Sequence, residues 1–549
     1  MCAIFGILNI KENYHILKKK ALYCSSLMSH RGPDSNGIYE GKDAILSHER
    51  LSIIDIKHGH QPIINSSQTS VLVMNGEIYN YKYIKKNFCY DYKFTSNSDC
   101  EVVLALYDKL GIKFLDLLNG MFSFILYDIP KQHYLIGRDH IGMVPLYIGY
   151  DIKKNLYVSS EMKALIPVCN TIKEFPPRSY LWSPDGVIRQ YYYRKWFQYK
   201  NIEYSPLNYK IIERTLKQSV KMHLITDVPY GVLLSGGLDS AIIASIASKF
   251  IKLKNNKKSQ KKKLKSFSIG LLNAPDLISA RLLSKKLETQ HYEIIFKKQE
   301  GLDAIRDVIY HIETYDITTV RASIPMYLMS KKIQSQGVKM VLSGEGADEI
   351  FGGYLYFHYA PNMQDFHEEL VRKLKLLHIY DCLRANKAML AWGVEIRFPF
   401  LDKNFLDVVM NIHPKYKICN RKKIEKYILR KSFFKYLPTT VLWRQKEQFS
   451  DGVGYTWINS LKKLSEEEIS DKKFSQAHIR FPYNTPGSKE GYLYREIFEE
   501  IFPISGATAC VLNNPSIACS SSTASKWYQL KNISQDPSGR SLNIHKSRS

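Results

Sequence analysis

Two glycine-rich turns place acidic side chains at the ends of apolar runs. The first, Ser235-Gly236-Gly237-Leu238-Asp239-Ser240, follows Tyr230-Gly231-Val232-Leu233-Leu234 and opens a helical pattern over residues 241–247. A strand, a glycine turn and a helix N-terminus make an anion site. Free N–H groups and the positive end of the helix dipole converge there. Asp239 does not bind a phosphate directly but can hold Mg²⁺ against one. No Gly-Lys-Ser/Thr follows, so this is not a Walker-type loop. Alone, the turn reads equally well as an ordinary strand-to-helix connection. The second turn, Ser343-Gly344-Glu345-Gly346-Ala347-Asp348-Glu349, follows the apolar run 339–342. Asp239 and Asp348 can share one Mg²⁺ on a pyrophosphate leaving group. Glu345 adds a carboxylate near the reacting centre, and Phe351-Gly352-Gly353-Tyr354 allows another close approach. Lys446, within Trp443-Arg444-Gln445-Lys446-Glu447-Gln448-Phe449, can neutralise charge building on a phosphoryl group. That cluster reads equally as a solvated helix end.

A second chemistry starts at Cys2. With Met1 removed, Cys2 carries a thiol and a free α-amino group of ordinary pKa about 8, which can act as its general base. The companions Arg50-Leu51-Ser52-Ile53-Ile54, Asn75-Gly76-Glu77 and Asp99 suit amide hydrolysis. Arg50 can clamp an α-carboxylate bidentately. Glu77 and Asp99 can receive an α-ammonium. The Asn75 side chain and the Gly76 N–H can form an oxyanion hole.

These groups need rigid elements behind them. Short β-branched and aromatic runs predict strands at 3–8, 45–48, 71–74, 122–127, 134–137 and 156–159, with helices at 23–29 and 100–110. Such a mixture predicts sheets covered by helices. After the first acidic turn, strands at 266–271, 291–296 and 339–342 alternate with helical patterns at 277–288, 299–313 and 325–336. Alternation of this kind predicts a parallel sheet with helices on both faces and its ligand at the carboxyl ends of the strands. Phe175-Pro176-Pro177-Arg178, Ser183-Pro184-Asp185-Gly186 and Tyr191-Tyr192-Tyr193 mark a boundary suited to a hinge. The expected division is 1–194, a linker 195–204, 205–505, and a polar, partly disordered tail 506–549.

The totals exclude several classes. A chain of 549 residues needs no staples for its core, and its nine cysteines lack metal-ligand spacing, which predicts reduced thiols and a cytoplasmic protein. No apolar run spans a bilayer and no signal peptide is present, so no membrane partner is expected. The net charge of +26 invites a nucleic-acid partner. Much of the excess, however, is lysine in loops such as 252–265, and no binding motif accompanies it, so no nucleic acid is expected.

The first part of the chain resembles the glutaminase domain of class II glutamine amidotransferases, which are N-terminal-nucleophile hydrolases. The resemblance implies an αββα sandwich, Cys2 as nucleophile, and residues 50–54, 75–77 and Asp99 as glutamine contacts. The second part resembles adenylating synthetases with a Ser-Gly-Gly-x-Asp-Ser pyrophosphate loop. This implies a doubly wound parallel-sheet synthetase domain of adenine nucleotide α-hydrolase type. Together, with Trp392-Gly393-Val394-Glu395-Ile396-Arg397, the chain resembles glutamine-hydrolysing asparagine synthetases from Cys2 to about residue 505, and more loosely through Pro515-Ser516-Ile517-Ala518-Cys519-Ser520 and Asp536-Pro537-Ser538-Gly539-Arg540. That implies glutamine, aspartate and ATP as substrates, Mg²⁺, and a β-aspartyl-AMP intermediate releasing AMP and pyrophosphate. ATP contacts would be Leu233, Ser235, Gly236, Gly237, Asp239, Ser240, Ile269, Ser343 and Gly344. Glu345 would guide ammonia, which an apolar tunnel would deliver, and a homodimer is one assembly the resemblance allows. Two positions depart from the family: Arg178 often stands as Gly, and Ala347 usually as Ser. Three alternatives remain: a sister synthetase acting on another carboxylate, a non-catalytic ligand binder, and a basic RNA- or membrane-associated protein.

Overall fold

The computed structural model describes residues 1–255, 262–419, 423–446, 449–454, 456–512 and 526–527. Glu447, Gln448, the middle of the lysine-rich loop and the motifs at 515–520 and 536–540 lie outside them.

Alternating side chains build the N-terminal half. Strands β1 (Ala3–Leu8), β2 (Ser35–Glu40), β3 (Ala44–Arg50), β4 (Ile63–Ile64), β5 (Ser70–Ile78), β6 (Gly120–Asp128), β7 (His133–Arg138), β8 (Tyr147–Tyr150), β9 (Leu156–Ser159), β10 (Thr171–Glu174), β11 (Ser179–Trp182) and β12 (Val187–Gln190) form two sheets. Their orders are β10-β8-β9-β1-β3-β2 and β12-β11-β7-β6-β5-β4. On β1, Ile4 and Leu8 pack between the sheets with Leu46, Val73 and Ile125. Phe5 and Ile7 face outward, where Leu17, Ala21 and Cys24 of the helix Tyr14–Ser26 cover them. On β5, Val71 and Val73 face inward while Leu72 and Met74 meet the helix Val102–Leu110. The period of two therefore gives each sheet one face for its partner sheet and one for helices. The αββα sandwich is borne out.

The C-terminal sheet contains β13 (Tyr230–Leu233), β14 (Lys265–Gly270), β15 (Gln290–Ile295), β16 (Met340–Leu342) and β17 (Glu395–Arg397). All pairs are parallel, in the order β15-β14-β13-β16-β17. The chain winds outward from β13 to β15, then resumes on the other side at β16. The reversal opens a crevice between the carboxyl ends of β13 and β16. Those ends carry the 235–240 and 343–349 turns.

Several expected elements differ in extent. The helix predicted at 23–29 is Tyr14–Ser26, started by Asn13 accepting the His15 N–H. The 299–313 pattern splits into Lys298–Asp303 and Ile305–Ile312. The 325–336 pattern is the end of Ile317–Ser335, capped by Asp316. Pro325 sits inside that helix because the carbonyl it leaves free, that of Arg321, accepts from the Trp457 indole at 3.1 Å. Arg178 adopts φ 53°, the left-handed region that favours Gly, and its guanidinium lies over Phe197. The linker is anchored: Trp196 is buried, with its indole N–H on Asp407 and its carbonyl on His367. The short helix Ser505–Ala509 packs on β10.

Candidate active site

The thiol of Cys2 lies at the start of β1, beside the end of β3. Its Sγ accepts the Leu51 N–H at 3.4 Å, and the Cys2 N–H donates to Asn75 Oδ1 at 2.9 Å. Burial pushes the thiol pKa up, which a neighbouring base would have to offset. Asn75 Nδ2 donates to Ser160 Oγ at 3.2 Å. Gly76 has φ 140°, and a Cβ there would lie 2.0 Å from the Met121 carbonyl, so only glycine lets β5 turn here. Arg50 is held by the carbonyls of Asp55 (2.7 Å) and Ile56 (3.1 Å). The Ser52 N–H is taken by Asp34, and the Ile53 carbonyl by the Asp227 N–H of the C-terminal half. Leu51 and Ile53 direct their side chains into the core, with Ile54 packed against it. Asp99 accepts the Ile78 N–H at 2.6 Å, and burial raises its pKa to about 6. Glu77 lies 3.1 Å from Arg397. Burial, then Glu395 and Asp99, raise the Glu77 pKa far above the usual carboxylate range. The Met1 ammonium pairs with Glu395, so residues of both halves meet at this site.

The crevice at the switch point is a cleft of about 180 Å³. Leu233, Ser235, Gly237, Asp239, Ser240, Ile269, Ser343, Gly344, Glu345, Asp348 and Lys446 line it. Gly236 does not. Its φ is 75°, and a Cβ there would sit 2.4 Å from Ser279 Cβ, so it serves the turn and the packing of the helix Pro275–Leu287. The two acidic turns touch each other, since a Cβ on Gly344 would lie 2.7 Å from the Ser240 N. Ser235 Oγ and Ser240 Oγ are 3.0 Å apart at the N-terminus of the helix Leu238–Asn255. Ala347 directs its methyl into the core.

Lys426, which sequence reasoning missed, stands between the acidic residues. Its Nζ is 2.5 Å from Asp239 Oδ2 and 2.6 Å from Asp348 Oδ1. Gly353 makes room for it: a Cβ there would overlap Lys426 Cε and Asp348 Oδ1 at 2.0 Å. Lys446 binds Asp348 Oδ2 at 2.7 Å. Burial raises the Asp348 pKa, but Lys426 and Lys446 outweigh it and bring the value to about 2. Glu345 pairs with Arg384, which also holds Asp381. Burial leaves the Glu345 pKa raised despite Arg384. Tyr354, at the end of the second glycine pair, lines the cleft, and so do Thr318, Thr319, Asp381 and Arg430, which were not expected there. Among the described residues, no three His, Cys, Asp or Glu side chains gather to hold a metal.

A buried thiol at position 2 of an αββα sandwich and two acidic glycine turns at the switch point of a parallel sheet point to an amidotransferase with two centres. One can open an amide; the other can activate an acceptor with a nucleotide. Comparison with known proteins narrows the class. Residues 1–182 match the glutamine amidotransferase domain family, and residues 212–366 and 360–528 match the asparagine synthase family. The chain is 58% identical to asparagine synthetase B [glutamine-hydrolyzing] of Escherichia coli strain K12, over all of both chains. It is 47% identical to asparagine synthetase [glutamine-hydrolyzing] of Zea mays, over all of this chain and 94% of that one. It is likewise 47% identical to probable asparagine synthetase [glutamine-hydrolyzing] of Dictyostelium discoideum, over the full length of both. The chain belongs to the glutamine-hydrolysing asparagine synthetases. Among the described residues, no helix is long and apolar enough to cross a membrane.

Proposed function

We propose that this enzyme makes asparagine from aspartate, ATP and glutamine through β-aspartyl-AMP, releasing AMP, pyrophosphate and glutamate. The observation that carries the cleft chemistry is the contact between the 235–240 and 343–349 turns at one switch point, with Lys426 and Lys446 on their carboxylates. That arrangement suits a leaving pyrophosphate, not a transferred γ-phosphate. The anion would sit on the N–H groups of the Ser-Gly-Gly turn and the start of the helix Leu238–Asn255. The aspartate β-carboxylate attacks the α-phosphorus, and the two lysines stabilise the charge moving onto pyrophosphate.

Asp239 Oδ1 is buried without a hydrogen-bond partner, while its Oδ2 pairs with Lys426. Two carboxylates plus substrate phosphates form a donor set that fits Mg²⁺, held by Asp239 and Asp348. When bound, the ion supplies charge neutralisation on the phosphates.

In the N-terminal half, loss of Met1 frees the Cys2 amino group, and the thiolate attacks the glutamine carboxamide. Arg50 receives the substrate carboxylate, and Asp99 with Glu77 its ammonium. The Asn75 amide and the Gly76 N–H receive the oxyanion. Ammonia leaves, and water then releases glutamate from the thioester. Ammonia stays a nucleophile only while unprotonated. A dry passage between the centres would meet that need; Leu51 beside the thiol and Leu234, Met326 and Met329 at the cleft belong to one apolar cluster. At the cleft, Glu345 guides ammonia onto the acyl carbon. The eight described cysteines are free thiols, consistent with a cytoplasmic setting.

Product analysis tests the scheme. ATP, Mg²⁺, glutamine and aspartate should yield AMP, pyrophosphate, glutamate and asparagine. ADP in place of AMP would exclude adenylation.

A further inference from the structure

Away from both reacting centres, the boundary between the halves buries a cluster of charges. Glu313 ends the helix Ile305–Ile312 at φ 57°, where a glycine would sit without strain. Its side chain is used across the boundary. The two carboxylate oxygens accept the N–H groups of Met162 (2.8 Å) and Lys163 (2.7 Å) in the N-terminal half. Lys387 binds the same carboxylate, and Lys163 Nζ lies 3.2 Å from it. Lys163 also bonds Glu161 at 2.5 Å, and Glu161 receives Arg31 at 2.8 Å. Arg31 in turn donates Nε to the Cys2 carbonyl (3.1 Å) and Nη2 to Asn386 Oδ1 (3.0 Å). None of these side chains is more than 4% exposed.

The same segments reach the cleft on their other side. Thr318 and Thr319, just beyond Glu313, line it. Arg384, one turn before Lys387 on the helix Asp381–Leu390, holds Glu345. Buried charge clusters add little stability, because desolvation offsets their attraction, and their best-attested use is to fix register. A carboxylate that accepts two backbone N–H groups from the opposite half fixes register in distance and direction.

We propose that Glu313 is a positioning residue that sets the placement of the Cys2 centre relative to Glu345, so that ammonia made at one centre is used at the other. The inference rests on the two-centre reading above. The test uses the full chain, measuring asparagine formed per glutamate with glutamine and, separately, asparagine synthesis from ammonium. Glu313→Gln keeps one acceptor oxygen and should lower the asparagine-to-glutamate ratio about threefold or more, within the range for residues that couple sites. Its ammonia-dependent rate should stay within about twofold of wild type. Glu313→Ala, with both acceptors gone, should lower the ratio further. A wild-type ratio in Glu313→Gln would overturn the proposal. So would a parallel fall of both activities, which marks a merely structural role. A wild-type chain that forms no asparagine from glutamine would instead overturn the underlying reading.

Discussion

At Asp99 burial leaves a carboxyl that is half protonated near pH 6, where an exposed aspartate would be fully ionised. Binding of an ammonium favours the ionised form. If glutamine binds with its ammonium on Asp99, as proposed, it must expel a proton there below about pH 6, and affinity should fall as the pH drops. The KM for glutamine in the glutaminase assay is expected to rise as pH decreases through about 6. Asp99→Asn should bind more weakly at all pH values and flatten the Asp99 part of the profile. Lys426 makes a second case. Its replacement by Met leaves Asp239 with no ammonium between it and Asp348. Ammonia-dependent synthesis should fall by about a hundredfold, a loss typical for a group that stabilises transition-state charge. Glutamine hydrolysis should persist. Near-normal pyrophosphate release by Lys426→Met would contradict the role given to this lysine.

Turns, more than strands, set the geometry at the scale of elements. Gly353 follows the helix Ala347–Phe351 and gives the Lys426 stem its place against Asp348. Gly353→Ala puts a methyl where those atoms lie, and one of them has to move. A displacement of about 1 Å at a reacting centre can cost about a hundredfold in rate. The variant should keep its fold and its glutaminase activity while ammonia-dependent synthesis falls by that order, as parallel assays would show. The order of the parallel strands explains why the two acidic turns share one site. β13 and β16 are neighbours, so their carboxyl ends share a crevice, although more than a hundred positions separate them in the chain.

At the scale of the molecule the two halves share their sites. Arg397 of β17 reaches Glu77 of β5, Lys339 pairs with Asp34, and Glu313 holds the turn after β9. Two centres joined in this way should pass ammonia internally. With amide-labelled glutamine and a pool of unlabelled ammonium, asparagine should retain the label, whereas Cys2→Ala should use the pool alone at an undiminished rate. Label lost to the pool in the wild-type enzyme would show that ammonia escapes before use.

Local chemistry made much of this legible from residue order. The strands β1 and β9 have the ends their β-branched runs predict, because a period of two is written in adjacent residues. The glycine turns, their carboxylates and Cys2 were equally readable, since each is a short segment whose residue types suit one chemistry. The start of the Ile317–Ser335 helix was hidden by Pro325, whose cost Trp457 offsets by bonding the Arg321 carbonyl from 136 positions along the chain. Lys426 was unreadable for the same reason: it lies 187 positions from Asp239 in a segment without a motif. Gly236, which resembled its neighbours in sequence, turned out to set its Cα against a helix. The sequence by itself determined which groups could react and which short elements would carry them. Only the tertiary structure decided which cations meet those groups and how the halves are locked together, because such pairings depend on burial and direction across distant segments.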